Sequence, residues 1–255
     1  MADQKAERIN KYLAQAGICS RRQADVLVEQ GKVLVNGKKA ESGMRVFPGD
    51  KVELIGGKEQ KAKKEIRGRA EKIVLAFYKP VGVTCTEKDK FADKKVLDYV
   101  NTKTRVTYAG RLDKDSEGLM ILTNDGELIQ RMMKGVERHE KEYVVKVEKE
   151  LTQTFIDDMA SGVYLKELNR TTRPCRVIME GKYTFRIVLT QGMNRQIRRM
   201  CETLGYKVKA LKRVRIMSVE LGKLNIGQSR VLSPQECYTL YTAVGMKVPS
   251  EFMAR

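Results

Sequence analysis

Between Tyr108 and Gly126 the chain reads YAGRLDKDSEGLMILTNDG, which places Arg111, Asp113 and Asp115 close together. An ionised carboxylate held on a stiff loop can attack a carbon or take a proton without metal or cofactor. The flanks suggest such a loop. Val106 to Ala109 is a short apolar run that reads as a strand. Leu119 to Leu122 is a second, and it stops at the turn signal Asn124-Asp125-Gly126. Strand–loop–strand segments rich in Asp, Ser and Gly are also what ordinary turns are made of, and this segment alone leaves both readings open.

A second cluster lies downstream. From Gln191 to Arg215 there are eight basic residues against one acid, Glu202. Ile197, Met200, Cys201 and Leu204 follow helical spacing, so Arg195, Arg198 and Arg199 face away from the buried stripe. Such a face can be plain solvated surface. Guanidiniums at a helix start nonetheless repel one another and the helix dipole until an anion joins them, and a phosphate or a carboxylate fits.

Composition narrows the classes. The 255 residues carry a formal net charge of +18, which predicts a polyanionic partner, with nucleic acid favoured over a membrane surface. No apolar run is long enough for a transmembrane helix, and the charged start MADQKAERINKYL lacks a secretory signal. Five dispersed cysteines suggest reduced thiols in a cytoplasmic protein. His139 is the only histidine and reads as an ordinary strand-start residue; no metal site is expected.

Ile9, Tyr12, Leu13 and Ala16 define a first amphipathic helix ending at Gly17. Ser20 and Gln23 form a capping box for a second, which runs to about Gln30. KVLVNGKKA gives a hairpin at Asn36-Gly37, and Lys51 to Leu54 a further short strand. A unit over residues 7–56 is expected, then a charged flexible linker over 57–72. Ile73 to Tyr78 reads as a central strand ended by Lys79-Pro80-Val81-Gly82. His139 to Lys149 alternates with Tyr143, Val145 and Val147 on one face. Thr152 caps a helix, and Cys175–Met179 pairs with Tyr183–Leu189. Lys207–Met217 and Ser218–Leu221 are strands, and Ser233 opens a last helix. Strands dominate without strict βαβ alternation, so residues 73–245 are expected to be α+β, with a large mixed, mostly antiparallel sheet and flanking helices. Residues 246–255 are expected to be a disordered tail.

The residues then carry a resemblance. Ile9 to Ala24, VLVNG and the PGD turn resemble the alpha-L RNA-binding module first named from a small-subunit ribosomal protein. GRLDKDSEGLMILTNDGEL resembles the central motif of the RsuA-type ribosomal RNA pseudouridine synthases. FYKPVGV, KEYVV, QGMNRQIRRM and LKRVRIMSVELG agree with that family in order and spacing. The wording RLDKDS, QGMNRQIRRMCE and RIMSV is similar to the RluF branch, which acts on large-subunit rRNA.

The resemblance implies an enzyme that isomerises uridine to pseudouridine, with Asp113 as nucleophile, Arg198 as its basic partner and Tyr143 against the target base. It needs no cofactor. Expected RNA contacts are Arg21 and Arg22 in the small module, and Lys79, Arg111, Asn194, Arg195, Arg199, Lys212 and Arg213 in the large domain, with Lys79 also shaping the pocket floor. Asp115 and Ser116 are expected to brace the loop. The expected partner is large-subunit (23S) rRNA or an assembly intermediate, with a tRNA loop as another target and the enzyme acting as a cytoplasmic monomer. The competing reading is a non-catalytic RNA-binding assembly factor built from the same two domains.

Overall fold

The computed structural model describes residues 6–56, 62–66, 68–86, 93–134 and 139–253, and the chain divides into two compact units. One comprises Met1–Lys72 with Thr102–Val106; the other comprises Ile73–Asn101 and Thr107–Arg255.

The first unit runs β1 (Glu7–Arg8), α1 (Ile9–Gln15), α2 (Arg21–Glu29), β2 (Val33–Val35), β3 (Lys38–Lys39), β4 (Arg45–Val46), β5 (Val52–Gly56) and β6 (Ala62–Glu65). Its core is Ile9, Leu13, Ala24, Val28, Val33 and Val52, the residues whose helical and alternating spacing marked them as apolar. Ser20 caps α2 reciprocally with Gln23, which satisfies two backbone N–H groups at the helix start. The expected linker is in part structured: Ala62–Glu65 pairs antiparallel with β5, and Ile66 is buried. A charged strand can still complete a sheet edge, because main-chain hydrogen bonds need no apolar side chains. Residues 57–61 and 67 of that linker lie outside the described residues, as do 87–92 of the loop expected over 84–95.

The second unit begins at β7 (Val74–Lys79) and reaches β8 (Thr107–Tyr108), β9 (Glu117–Thr123), α3 (Gly126–Met132) and β10 (Lys141–Val147). Next come α4 (Gln153–Ser161), β11 (Tyr164–Leu165), β12 (Arg170–Thr171), β13 (Arg176–Gly181), β14 (Thr184–Leu189) and α5 (Gln196–Thr203). It closes with β15 (Val208–Ile216), β16 (Val219–Glu220), β17 (Ser229–Val231) and α6 (Pro234–Ala243). Among the described residues, nine strands form one sheet in the order β13-β14-β10-β15-β9-β7-β17, with β16 on β15 and β8 on β9. Every pairing in it is antiparallel except β15 with β9. The expected α+β architecture with a mixed, mostly antiparallel sheet is the one observed.

Two cores flank the sheet. Val74, Ala76, Leu119 and Ile121 pack against Leu128, Leu240 and Tyr241 of α3 and α6. Val145, Val147, Phe185 and Ile187 pack against Phe155, Met159, Ile197 and Met200 of α4 and α5. The C-terminal stretch corrects an expectation. Val248 and Phe252 are buried, Ser250–Phe252 forms a 3-10 turn, and the Phe252 ring lies 5.7 Å from that of Tyr241. Two apolar residues four apart anchor this segment, a signal too short to register as an element; only residues 254–255 lie outside the described part.

Candidate active site

The loop before β9 is held from several sides. It leaves β8 through Gly110, whose φ of +87° favours glycine. Asp113 accepts a turn hydrogen bond from the Ser116 N–H at 3.1 Å, and Gly82 donates to the Lys114 carbonyl at 2.7 Å. Lys79 Nζ donates to the Ser116 carbonyl at 2.6 Å and to the Pro80 carbonyl at 2.8 Å. Arg198 Nη2 donates to the Asp115 carbonyl at 2.8 Å and lies 3.4 Å from Ser116 Oγ.

Helix α5 brings the arginines. Its apolar residues Ile197, Met200 and Cys201 are buried, which fixes its rotation and turns Arg195 and Arg198 toward the loop. Arg195, the N-cap, has a left-handed φ of 51° and grips Asp115 in a two-point pair at 3.1 and 3.0 Å. Arg198 Nε lies 3.3 Å from the same carboxylate. Burial alone would raise the Asp115 pKa, but the hydrogen bond from Arg195 and the charges of Arg198 and Arg195 hold it below the usual carboxylate value. Asp113, its side chain 37% exposed, has Arg195 Nη1 at 3.9 Å.

Asp113, Tyr143 and Arg198 all line one cleft of about 660 Å³, within the range of ligand sites. Tyr143 stands on its wall, partly buried against the α4/α5 core. The register places Tyr143 beside Arg213, Arg213 beside Gly118, and Gly118 beside Lys79, a single row across β10, β15, β9 and β7. Gly118 has φ +116°, and a Cβ there would lie 2.2 Å from the Arg213 carbonyl oxygen, so only glycine permits this approach.

Several sequence expectations shift. Arg198, expected to partner Asp113, engages Asp115 instead. Asp115 does brace the loop, though through ion pairs from α5 rather than local bonds alone. Lys79 is fully buried and Arg213 is 2% exposed, so neither reaches a surface phosphate. Lys79, expected on the pocket floor, is not among the residues that line the cleft; it holds the loop from beneath through the Ser116 and Pro80 carbonyls. Burial lowers its pKa, the Asp115 and Asp113 charges oppose that, and the nearby Arg213 adds to it. Lys212 is half-buried, with Nζ 5.0 Å over the Tyr78 ring. Arg199 is paired with Glu167 and donates to the Asn194 carbonyl at 3.1 Å. Arg111 and Asn194 are exposed beside the cleft, and Arg21 and Arg22 are exposed on the first turn of α2.

Sequence reasoning passed over Lys141 and Gln191, both of which line the cleft. Lys141 was recoverable: on an alternating strand it shares a face with Tyr143, two positions on. Among the described residues, no group of three or more His, Cys, Asp or Glu is placed to hold a metal ion, and no helix is long and apolar enough to cross a membrane.

The chain belongs to the RNA pseudouridylate synthase family, which matches residues 73–203, while the S4 domain matches residues 7–52. It is 44% identical over 244 residues to the dual-specificity RNA pseudouridine synthase RluF of Escherichia coli (strain K12), covering 96% of this chain and 81% of that protein. To the ribosomal large subunit pseudouridine synthase B of Bacillus subtilis (strain 168) it is 36% identical, with 90% and 93% covered. A solved structure described as a crystal structure of pseudouridylate synthase superposes with a TM-score of 0.66 at 26% identity, covering 91% of this chain and 99% of that one. The protein is an RNA pseudouridine synthase, an isomerase.

Proposed function

We propose that this enzyme isomerises a specific uridine of large-subunit (23S) ribosomal RNA, with Asp113 as the reacting carboxylate, Tyr143 against the target base and Arg198 as the cation that positions the loop. The observation that carries the assignment of roles is the unequal treatment of two neighbouring carboxylates. Asp115 is saturated by Arg195 and Arg198, whereas Asp113 lines the cleft with one long ion-pair contact among the described residues. A nucleophile must keep its lone pairs available, and a loop brace need not.

The reaction breaks the N1–C1′ bond, turns the base and rejoins it through C5. The uridine must first leave its stack, at a cost of a few kcal/mol, least in a loop or bulge. Phosphate contacts from Arg111, Asn194, Arg21 and Arg22 offset that cost, so log affinity should fall steeply with log salt. Similarity to RluF and to the large-subunit enzyme of Bacillus subtilis supports the rRNA substrate. The name dual-specificity RNA pseudouridine synthase borne by the former relative supports a second RNA target for this chain, which we propose is a tRNA loop. A monomer is the proposed state, and the dispersed, free cysteines support a cytoplasmic setting.

The decisive experiment is tritium release from C5-labelled uridine in large-subunit rRNA transcripts. Wild type should release it, and Asp113→Asn should fold and bind RNA yet release none. Tight binding with no pseudouridine from wild-type enzyme at stoichiometric amounts would favour the assembly-factor reading. Carbodiimide mapping in cells with and without the protein identifies the uridine.

A further inference from the structure

Two cations in the cleft have no role in holding the loop. Arg213 is 2% exposed, and its Nε donates to the Leu119 carbonyl at 2.7 Å. Its Nη2 is enclosed and has no hydrogen-bond partner among the described residues. Lys141 stands on the neighbouring strand, two residues before Tyr143, and its Nζ has a long contact of 3.4 Å to the His139 carbonyl. Burial first, and then the Arg213 charge, push the Lys141 pKa below its ordinary value, so the two cations feel one another. The nearby carboxylate Asp115 is already taken by Arg195 and Arg198. An enclosed guanidinium with an unmet donor, next to a second cation, is a costly arrangement unless an anion arrives during the work of the site.

The proposed isomerisation supplies one. When N1–C1′ breaks, the bonding electron pair stays with N1, and the uracil becomes an anion whose charge spreads onto O2 and O4. C1′ is taken by the Asp113 carboxylate, or a ribose proton passes to that carboxylate. Attack of Asp113 at C6 instead pushes the same charge onto O4. The anion is consumed when C5 bonds to C1′: Asp113 leaves C1′ or C6 with its bonding pair, or returns the ribose proton, and then C5 loses its proton and N1 gains one. On every route the pyrimidine passes through a state more negative than uridine.

We propose that Arg213 and Lys141 are catalytic residues that hold this negative charge on the uracil oxygens beside Tyr143. The inference rests on the function proposed above. It places them at the developing charge, where a preorganised donor acts most strongly. The row Tyr143–Arg213–Gly118–Lys79 shows how the fold permits it: glycine at 118 leaves the space over the Arg213 backbone free of a side chain, and Lys79 is turned down to the loop carbonyls.

The test is single-turnover cleavage of the N1–C1′ bond in a large-subunit rRNA transcript that wild type modifies, carrying uridine or 5-fluorouridine at the target. Fluorine makes the pyrimidine a better leaving group and so reduces its need for stabilisation. Lys141→Gln and Arg213→Gln should slow saturated turnover of uridine about 100-fold, leave RNA Kd within about twofold, and lose less on 5-fluorouridine. Arg213→Lys, which keeps the charge, should recover part of the rate; Lys141 is partly exposed, so its variant reports even where Arg213→Gln fails to fold. Equal losses on both substrates, or a change in Kd at unchanged saturated rate, would overturn the proposal while leaving Asp113 in place. A wild type without turnover would sink both readings.

Discussion

Arg195 binds Asp115 through both guanidinium nitrogens at 3.1 and 3.0 Å and stands 3.9 Å from Asp113. Two carboxylates of one loop are thereby given different work. Asp115→Asn should keep the fold and RNA affinity and lose about 10- to 100-fold in kcat, since a misplacement near 1 Å costs about that much. Asp113→Asn should lose all turnover. A variant of Asp115 as dead as that of Asp113 in the tritium assay would reverse the assignment.

Gly118→Ala is expected to be among the most damaging single-atom additions in the chain. The new Cβ would lie 2.2 Å from the Arg213 carbonyl oxygen and 2.5 Å from its nitrogen, at a φ of +116°. Neither backbone can yield without parting β9 from β15, so a loss of about 3 kcal/mol or more is expected in urea unfolding. A loss under about 1 kcal/mol would show that the parallel pair can slide.

The Glu236–Arg230 pair sets an acid limb of stability. Arg230 donates to both Glu236 oxygens at 2.8 and 2.7 Å, and the Ser233 N–H adds a third bond at 2.8 Å. The Arg230 hydrogen bonds, outweighing burial, hold the Glu236 carboxyl down from 4.5 to about 2. A depressed folded-state value stabilises above the unfolded pKa and is lost as pH falls through the folded one. Stability from this pair is therefore complete above about pH 4.5 and fades toward about pH 2. Melting curves of wild type and Glu236→Gln, well separated at pH 7, should converge across that window; a constant gap would refute the link.

Arg21 and Arg22 occupy the first turn of α2, where cations gain nothing from the helix dipole. If they contact phosphate, each alanine substitution should lower the slope of log affinity against log salt by about 1 and leave the saturated turnover rate untouched. An unchanged slope would remove them from the RNA footprint.

The helices and strands that bury an apolar stripe were legible from spacing: α1, α2, α5, β7, β9 and β10 lie where period and caps put them. Elements held by main-chain bonds were not, as β6, β11, β12 and β17 show, because their side chains carry little apolar pattern. Asp113, Tyr143 and Arg198 could be named because they sit in distinctive wording. That Arg198 would choose Asp115 could not, since the choice depends on the rotation of α5 against a loop 80 residues earlier. Lys79 and Arg213 misled for a simple reason: a basic residue in a basic chain reads as surface, and only the cross-strand register reveals that both lie beneath it.

Strand β15 lies between β10 and β9 in space but follows both in the chain. As the chain is synthesised, the Asp113 loop with β9, and β10 with Tyr143, are made early, and β9 and β10 have no direct pairing with one another. The gap between them is closed only when the chain has grown past Ile216 and β15 inserts. Such a late, long-range insertion slows folding, and before it no pairing holds β9 in line with β10. The two sides of the cleft are thus brought into register by the last-made of the three strands.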